Sequence, residues 1–300
     1  MVMPARDVVL IPCWRRPEFL WHCLDNLARA AGIDQLHVLF RADTGYDRAI
    51  HEVIAEFASH FASYQVDEPV PCPYKRSKQS ANVLGGYLLA AQLSRRYVFM
   101  VEEDIMVARD FLRWHYAVQA AQPRLFCSIA TRNTNRNVPD NAEPEIYYLT
   151  SADYCSLGVC FERSVIGTLI APHVTRAYFA DPRSYCERTF PGSRLATGFE
   201  QDGLIRRIQE SEGDRRPIAY AYRPRGFHAG FFGYHRPGSV PGDLTQRIGQ
   251  VGEVIYNVEA MRAAANRPEA FYDSVPVPLE TPPWQSLRFQ ALTEPTETPA

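Results

Sequence analysis

The chain has little that would cross-link it, anchor it in a membrane or draw it to a polyanion. Its seven cysteines are odd in number and scattered, with no CxxC pair, so they predict reduced thiols packed as small apolar groups. No apolar run approaches the roughly 20 residues of a membrane span, and the first residues lack a signal-peptide layout. The formal net charge is only −2, which favours no nucleic-acid or anionic-lipid partner. We therefore expect a cytoplasmic protein with no transmembrane segment.

The first half of the chain alternates between β-rich apolar runs and segments of helical periodicity. This alternation predicts a three-layer α/β/α, Rossmann-like fold with a mostly parallel central sheet, whose ligands bind at the carboxyl ends of the strands. The predicted strands are 7–14, 36–45, 63–69 and 97–104, and the predicted helices are 16–32, 46–61, 81–94 and 108–122.

The second half is less regular. Residues 125–133 and 217–238 have strand character, 145–166 mixes strands with turns, 198–213 resembles a loop entering a helix, and 243–266 is mostly helical. We expect residues 1–272 to form a single domain. Residues 273–300 are rich in proline and threonine, which is typical of an extended or disordered tail.

Three acids follow directly on the apolar run 97–101. Burying a carboxylate without a partner is costly, and adjacent carboxylates repel one another, so a positive partner is expected beside Glu102, Glu103 and Asp104. A hard divalent cation on a diphosphate would satisfy them. A solvated turn at the end of a strand is the plainer interpretation, and the triplet alone does not decide between the two.

Two other strand ends carry side chains that could bind a nucleotide. Arg15 and Arg16 follow the first strand, where guanidinium groups could clamp a diphosphate, although a surface arginine pair has the same sequence. Asp43, after the second strand, could accept a hydrogen bond from a base or a ribose, or could simply form the turn before Gly45.

Two later segments carry candidate acid–base and metal-binding groups. Glu200 and Asp202 precede a helical segment, where either could remove a proton from an incoming hydroxyl or could cap the helix. His228 and His235 lie in a segment rich in glycine and aromatic residues. Either could reach a metal site, whereas a lone histidine is more often structural.

In this order the segments resemble GT-A nucleotide-sugar glycosyltransferases, and more narrowly the N-acetylglucosaminyltransferase I family. That family's opening strand, arginine turn and helix are similar to "VVLIPCWRRPEFLWHCLDNL". Its Glu-Asp-Asp variant of the DxD motif resembles "VEEDIMVARDF", its uracil-contacting turn resembles "RADTG", and its late His-Gly loop resembles "FHAGFF". Two departures stand out: Gln201 separates the acids of the base segment, and the acceptor-side segment "SLGVCFE" lacks the family's tryptophan.

The resemblance implies a GT-A fold with a UDP-sugar donor site. It implies that Asp104 binds Mn²⁺ or Mg²⁺ and that His228 completes the metal shell or touches the diphosphate. Asp202 is the expected catalytic base, with Glu200 as the second candidate. The expected donor contacts are Pro12, Arg15, Asp43, Asn82, Glu102 and Glu103.

The implied activity is that of a metal-dependent, inverting glycosyltransferase of the hexosyl- or N-acetylhexosaminyl class. It would move a sugar from a UDP-sugar to a hydroxyl group of a glycan or a small molecule. In this interpretation residues 1–122 form the nucleotide-sugar-binding half and residues 123–272 the acceptor-binding half.

Two alternatives remain at the sequence level. A sugar-1-phosphate nucleotidyltransferase would share the fold, but such enzymes usually have a glycine-rich phosphate loop after the first strand, and "IPCWRRPEF" contains no glycine. A non-catalytic module that binds nucleotide sugars or glycans is the other alternative.

Overall fold

The computed structural model describes residues 6–74, 77–131, 147–151, 154–221 and 224–228. These ranges contain ten strands and eight helices. The strands are β1 Val8–Cys13, β2 His37–Ala42, β3 Ser63–Asp67, β4 Tyr97–Met100, β5 Ile105–Val107, β6 Cys127–Ile129, β7 Tyr147–Thr150, β8 Val159–Glu162, β9 Ile218–Ala221 and β10 Gly226–His228. The helices are α1 Pro17–Ala28, α2 Ala49–Phe57, α3 Lys78–Leu93, α4 Phe111–Ala121, α5 Arg163–Val165, α6 Arg176–Ala180, α7 Pro182–Thr189 and α8 Gln201–Glu212.

Eight of the strands form one sheet in the order β3-β2-β1-β4-β8-β6-β9-β7. Strands β3, β2, β1 and β4 are parallel neighbours, β8 runs antiparallel to β4 and β6, and β7 runs antiparallel to β9. The chain builds outward from β1 to β3 and then returns to place β4 on the other side of β1. Such a reversal in strand order leaves a crevice at the carboxyl ends of the two central strands, here β1 and β4.

Helices cover both faces of this sheet. Leu20, Leu24 and Leu27 of α1 pack with residues of α2 and α4 against one face, which receives Val9 and Ile11 of β1. The alternate β1 residues, Val8 and Leu10, point to the other face and pack with α3 and α8. Because both faces are covered, the central strands are apolar at nearly every position rather than at alternate ones.

The short spacing between strand and helix brings α1 directly over the sheet. Pro17 occupies the first turn of α1, where a missing amide hydrogen costs nothing, and leucines at positions 20, 24 and 27 form one apolar stripe. The helix therefore starts within four residues of the end of β1 and keeps the intervening residues at the edge of the sheet.

The predicted fold class, a three-layer α/β/α arrangement around a mostly parallel sheet, is confirmed, and β4 is central as predicted. The structure adds β5, which pairs antiparallel with β10 in a separate two-stranded sheet. It also adds the helices α6 and α7, where the sequence predicts no regular element. The predicted helix 243–266, the tail 273–300 and the domain end at residue 272 lie outside the described residues.

All seven cysteines are free thiols, as predicted. Five of them are fully buried, and burial raises the pKa of the thiols of Cys127 and Cys160 well above the ordinary value, so these two behave as apolar packing groups. In the described ranges, every helix is too short or too polar to cross a membrane.

Candidate active site

A pocket opens at the carboxyl ends of β1, β2 and β4, where the strand order reverses. Five residues expected to contact a donor line it, namely Pro12, Asp43, Asn82, Glu102 and Glu103. The rest of the lining is Cys13, Trp14, Arg16, Gln79 and Val83. The fold thus brings together side chains that are up to 91 positions apart in the sequence, counting from Pro12 to Glu103.

Two of the three clustered acids share one guanidinium. Arg16 donates from Nε to Glu103 Oε1 over 2.7 Å and from Nη1 to Asp104 Oδ2 over 2.8 Å. The second oxygen of Glu103, Oε2, accepts the backbone N–H of Trp14 over 2.8 Å. Both acids are only 4% exposed, so this fork satisfies carboxylates that would otherwise be buried at high cost.

The ionisation of Glu103 is set by opposing effects. Burial raises the pKa of its carboxyl group, while Arg16 and the N–H of Trp14 counter that rise. The Arg16 guanidinium has a raised pKa because of Asp104 and Glu103, although its own burial acts in the opposite direction. The cluster is therefore a partly compensated charge group, in which two buried carboxylates share one arginine.

Glu102 points away from this fork and toward α8. Its Oε1 lies 3.1 Å from the hydroxyl of Ser156, and the same hydroxyl lies 3.2 Å from Oδ2 of Asp202. Ser156 is 5% exposed and stands just before β8, the antiparallel neighbour of β4. One buried hydroxyl therefore connects the acid triplet with the expected catalytic base.

Asp202 lies in the first turn of α8. Burial raises the pKa of its carboxyl group, and the hydrogen bond from Ser156 and the charge of Arg206 limit that rise. Its second oxygen, Oδ1, is buried and makes no hydrogen bond within the part of the chain that the structure describes. Asp202 thus has one oxygen held by Ser156 and one buried oxygen with no described hydrogen bond.

Helix α8 begins without a capping side chain of its own, and α3 supplies the missing partner. The hydroxyl of Ser80 accepts the backbone N–H of Gln201 over 3.1 Å and donates to the Gln201 side chain over 2.9 Å. Glu200, the residue that precedes the helix, makes no capping bond. The first turn of α8 is therefore positioned by the helix that also lines the pocket.

The loop before α8 is fixed by a buried arginine. Arg207 is 2% exposed and donates to the backbone carbonyl groups of Leu195, Thr197, Gly198 and Gly203. Its guanidinium also lies 4.7 Å from the ring centre of Phe199. These contacts tie residues 195–203 into one unit that presents the acids at 200 and 202.

Glu200, the second candidate base, has a different environment. It is exposed, and its Oε2 accepts the backbone N–H of Phe199 over 3.1 Å. It does not line the pocket and makes no described contact with the acid triplet. Burial and the connection through Ser156 therefore distinguish Asp202 from Glu200.

Asp43 and Asn82 are two further polar residues of the pocket lining. Oδ1 of Asp43 accepts the backbone N–H of Thr44 over 2.7 Å, and burial raises the pKa of this carboxyl group. The side-chain oxygen of Asn82 accepts from Nε of Arg41 over 3.2 Å, and Arg41 is in turn paired with Asp67. Asn82 is therefore held in one orientation, with its amide nitrogen as the group left to face the pocket.

Arg15 lies outside the pocket lining. Its Nε donates to the carbonyl oxygen of Gly45 over 2.7 Å, and its guanidinium lies 4.7 Å from the ring centre of Trp14. The neighbouring Arg16, which the sequence does not distinguish from Arg15, is the one that contacts the acids.

The late histidines are described only in part. The backbone of His228 belongs to β10 and pairs with Ile105, the residue after Asp104. This register brings the chain at position 228 next to the acid triplet. His235 lies outside the described residues.

No known family model and no curated protein sequence matches this chain. Similar solved structures include *S. aureus* TarS 1–349 in complex with UDP-GlcNAc, which is 14% identical with a TM-score of 0.43 over 76% of this chain and 61% of that one. The mannosyltransferase PcManGT from *Pyrobaculum calidifontis*, in complex with GDP-Man and Mn²⁺, is 16% identical with a TM-score of 0.44 over 91% of this chain and 70% of that one. The galactosyltransferase LgtC, in complex with donor and acceptor sugar analogs, is 8% identical with a TM-score of 0.42 over 71% and 73%.

These likenesses identify no family. The chain spans 61% of the length of the TarS 1–349 chain in that complex. The similar structures are those of proteins that hold nucleotides, nucleotide sugars or sugar analogs, as the complexes with UDP-GlcNAc and GDP-Man illustrate.

Sequence reasoning missed Ser156 and preferred Arg15 to Arg16. The choice between the two arginines depends on which way the chain turns after β1, and the turn places Arg16 toward β4. Ser156 carries no sequence signal, because its neighbours Glu102 and Asp202 are 54 and 46 positions away. Only the antiparallel return of β8 beside β4 brings the three together.

Proposed function

We propose that the protein is a metal-dependent, inverting glycosyltransferase that moves a sugar from a UDP-sugar to a hydroxyl group of a glycan or small molecule. One observation carries the proposal. A pocket at the strand-order reversal holds five of the expected donor-binding residues and is connected through Ser156 to a half-buried carboxylate with a raised pKa, Asp202. This connection supports a donor site next to a base, the arrangement that sugar transfer requires.

The donor half of the reaction is assigned to the ends of β1, β2 and β4. Asp43 and Asn82 are the groups for the base and ribose, since they offer an acceptor and a donor on one wall of the pocket. Arg16, which also lines the pocket, carries the positive charge for a diphosphate. The described residues enclose about 120 Å³, enough for a ribose or a phosphate group, so the remainder of the donor extends along the open crevice.

The acids at 103 and 104 fit a divalent cation that arrives with the diphosphate. Both offer carboxylate oxygens, which hard cations prefer, and Mg²⁺ and Mn²⁺ are commonly held by one or two carboxylates plus substrate phosphates. Among the described residues there is no group of three or more histidine, cysteine or acidic side chains that could hold a metal without such a substrate. When bound, the cation supplies charge neutralisation for the leaving diphosphate.

Asp104 is proposed as the cation ligand, and Glu103 as its neighbour toward the ribose or a metal-bound water. Arg16 holds one oxygen of each carboxylate and would supply positive charge beside a bound diphosphate. His228 of β10 is proposed to complete the metal shell or to touch the diphosphate, because its backbone pairs with Ile105, the residue after Asp104.

Asp202 is proposed as the catalytic base, with Glu200 as the less favoured candidate. The acceptor hydroxyl gives its proton to Asp202 Oδ1, its oxygen forms the bond to the anomeric carbon, and the bond from that carbon to the diphosphate breaks. The nucleoside diphosphate leaves with the bonding electron pair. A raised pKa makes the Asp202 carboxylate a stronger base.

The proposed base is tested by measuring UDP release from UDP-sugars with Mn²⁺ and candidate acceptors, using wild type, Asp202→Asn and Glu200→Gln. We expect Asp202→Asn to lower kcat by about 10²- to 10⁴-fold, because a positioned base contributes that much. Glu200→Gln serves as the matched control and should retain most of the activity. Nucleotide binding without transfer would favour a binding module, and a dead Glu200→Gln beside an active Asp202→Asn would reverse the assignment.

A further inference from the structure

The hydroxyl of Ser156 stands between two carboxylates that belong to different parts of the site. Glu102 Oε1 lies 3.1 Å from it and Asp202 Oδ2 lies 3.2 Å from it, both within hydrogen-bond distance. Ser156 is buried, so bulk water does not replace either contact.

A hydroxyl group has one proton to donate. It can therefore satisfy only one ionised carboxylate at a time, and Glu102 and Asp202 compete for it. When a donor hydroxyl or another group binds Glu102, the Ser156 proton is left for Asp202, whose Oδ2 is then held in place. The occupancy of the donor side is in this way linked to the orientation of the carboxylate on α8.

We infer that Ser156 is a positioning residue that holds the Asp202 carboxylate for proton abstraction and links it to Glu102. The inference rests on the proposed function, in which Asp202 is the base. Ser156 does not touch the reacting atoms; it holds Oδ2 of Asp202 and leaves Oδ1, which has no described hydrogen bond, as the oxygen proposed to take the proton. Holding one oxygen fixes the direction of the other, because a carboxylate is planar.

Several groups besides Ser156 act on Asp202 and must be kept constant in any test. The charged and titratable side chains that surround it are Glu102, Glu200, Arg206, Tyr87, Tyr154, Cys155 and Tyr178. Arg206 is fixed separately, since its Nε donates to the carbonyl oxygen of Tyr154 over 2.7 Å. A change confined to the hydroxyl of Ser156 therefore leaves the other charges where they are.

The kinetic test compares Ser156→Ala, Ser156→Thr and the control Ser211→Ala. Ser211 is on the same helix as Asp202 and bonds to the carbonyl oxygen of Ile208, away from the pocket. We expect Ser156→Ala to lower kcat about 10- to 100-fold with the donor KM changed less than about threefold, because a misplaced catalytic group costs that much. Ser156→Thr keeps the hydroxyl and should recover most of the rate, and Ser211→Ala should leave it unchanged. An unaltered kcat in Ser156→Ala, or a loss confined to KM, overturns the inference.

A second measurement does not depend on activity. In protein labelled with ¹³C-aspartate, the carboxyl resonance of Asp202 is identified by its absence in Asp202→Asn. Because the Ser156 hydrogen bond lowers the pKa of Asp202, that resonance should titrate at higher pH in Ser156→Ala. In Glu102→Gln, where the competing carboxylate is gone, the Asp202 resonance should titrate at lower pH. Because Glu102→Gln keeps Ser156, it still tests the inference if Ser156→Ala does not fold.

The two measurements separate the possible failures. If no donor is turned over by wild type but the titration shifts as described, the proposed function fails and the link between Ser156 and Asp202 stands. If transfer occurs and neither kcat nor the titration responds to Ser156→Ala, the link is wrong and the proposed function stands.

Discussion

At the end of β4, two buried carboxylates are held by one guanidinium. Arg16 binds Glu103 and Asp104 over 2.7 and 2.8 Å and so offsets part of their charge. This shared pairing explains how the fold tolerates adjacent acids that are only 4% exposed.

A second buried polar residue, His115 in α4, shows how burial makes stability depend on pH. Its ring is fully buried against the rings of Phe99, Phe111 and Trp114, and its Nδ1 lies 2.8 Å from the hydroxyl of Ser128. Burial lowers the pKa of this histidine to about 3, and the charge of Arg225 acts in the same direction.

The expected effect of His115 is a loss of stability in mild acid. The unfolded chain binds a proton at a pKa of about 6.5 while the folded chain does not, so the free energy of unfolding falls as pH drops from about 6.5 toward 3, by up to about 1.4 kcal/mol per pH unit. Between pH 7 and pH 5, denaturant titrations should show wild type losing up to about 2 kcal/mol more than His115→Gln. His60→Gln, a substitution of an exposed histidine, should behave as wild type. Parallel losses in wild type and His115→Gln would contradict the assignment.

At the scale of single residues, the sequence predicted which side chains come together at the carboxyl ends of the strands. Asp43, Asn82, Glu102 and Glu103 were expected to meet, and they do line one pocket. The partners of these groups could not be predicted, because they depend on turns and on the return of distant strands. Ser156 reaches its position through β8, which pairs with β4 only in the folded sheet.

At the scale of elements, the loop 195–200 and the start of α8 form a single tightly packed unit. The Cα of Gly203 lies against the carbonyl oxygen of Gly198, and a Cβ at this position would overlap that oxygen. Arg207 holds the same carbonyl groups from the other side. The close approach fixes the position of Asp202, which precedes Gly203 by one residue.

Gly203→Ala should therefore displace this unit. We expect a loss of about 2 kcal/mol or more in the free energy of unfolding, since overpacking typically costs 1–3 kcal/mol, together with a fall in kcat as Asp202 moves. Gly167→Ala is the matched control, because a Cβ at that helical glycine meets no atom within 4 Å. The control should change stability by less than about 1 kcal/mol. Equal effects of the two substitutions, measured by denaturant titration, would show that the contact is not tight.

Element prediction succeeded where apolar periodicity was strong. The four strands β1 to β4 and the helices α1 to α4 lie where alternation predicted them, with ends displaced by a few residues. The short strand β5 was missed because it has only three residues, which come directly after the acids that end the predicted strand 97–104. Only its pairing with β10 defines it as a strand. Helix α6 was missed because it has only five residues, and α7 because its sequence is mostly polar. Capping by Thr175 and Asp181 starts the two helices.

At the scale of the whole molecule, one sheet connects the two predicted halves of the chain. Strands β1 to β4 belong to the part of the chain at 1–122 and β6 to β9 to the part at 123–272, and β8 joins them by pairing with β4 and β6. The contacts from Ser156 to Glu102 and from Ser80 to Gln201 cross the same junction. The acids at the end of β4 are thereby connected with the start of α8.

The central claim is that this junction binds a nucleotide-sugar donor together with a divalent cation. The most direct test is a thermal-shift screen of UDP, UDP-sugars and GDP, each with and without Mn²⁺. The screen compares wild type, Asp104→Ala and the control Asp34→Asn. Asp34 is an exposed acid before β2, at the opposite edge of the sheet. Only a ligand bound to the folded state raises Tm, and at 100 times Kd it adds about 2.7 kcal/mol, or about 5–10 °C for a domain of this size.

The account predicts that UDP or a UDP-sugar raises the Tm of wild type and Asp34→Asn when Mn²⁺ is present, and that Asp104→Ala loses this response. A wild-type Tm that no nucleotide shifts, or an Asp104→Ala response equal to that of wild type, would contradict it.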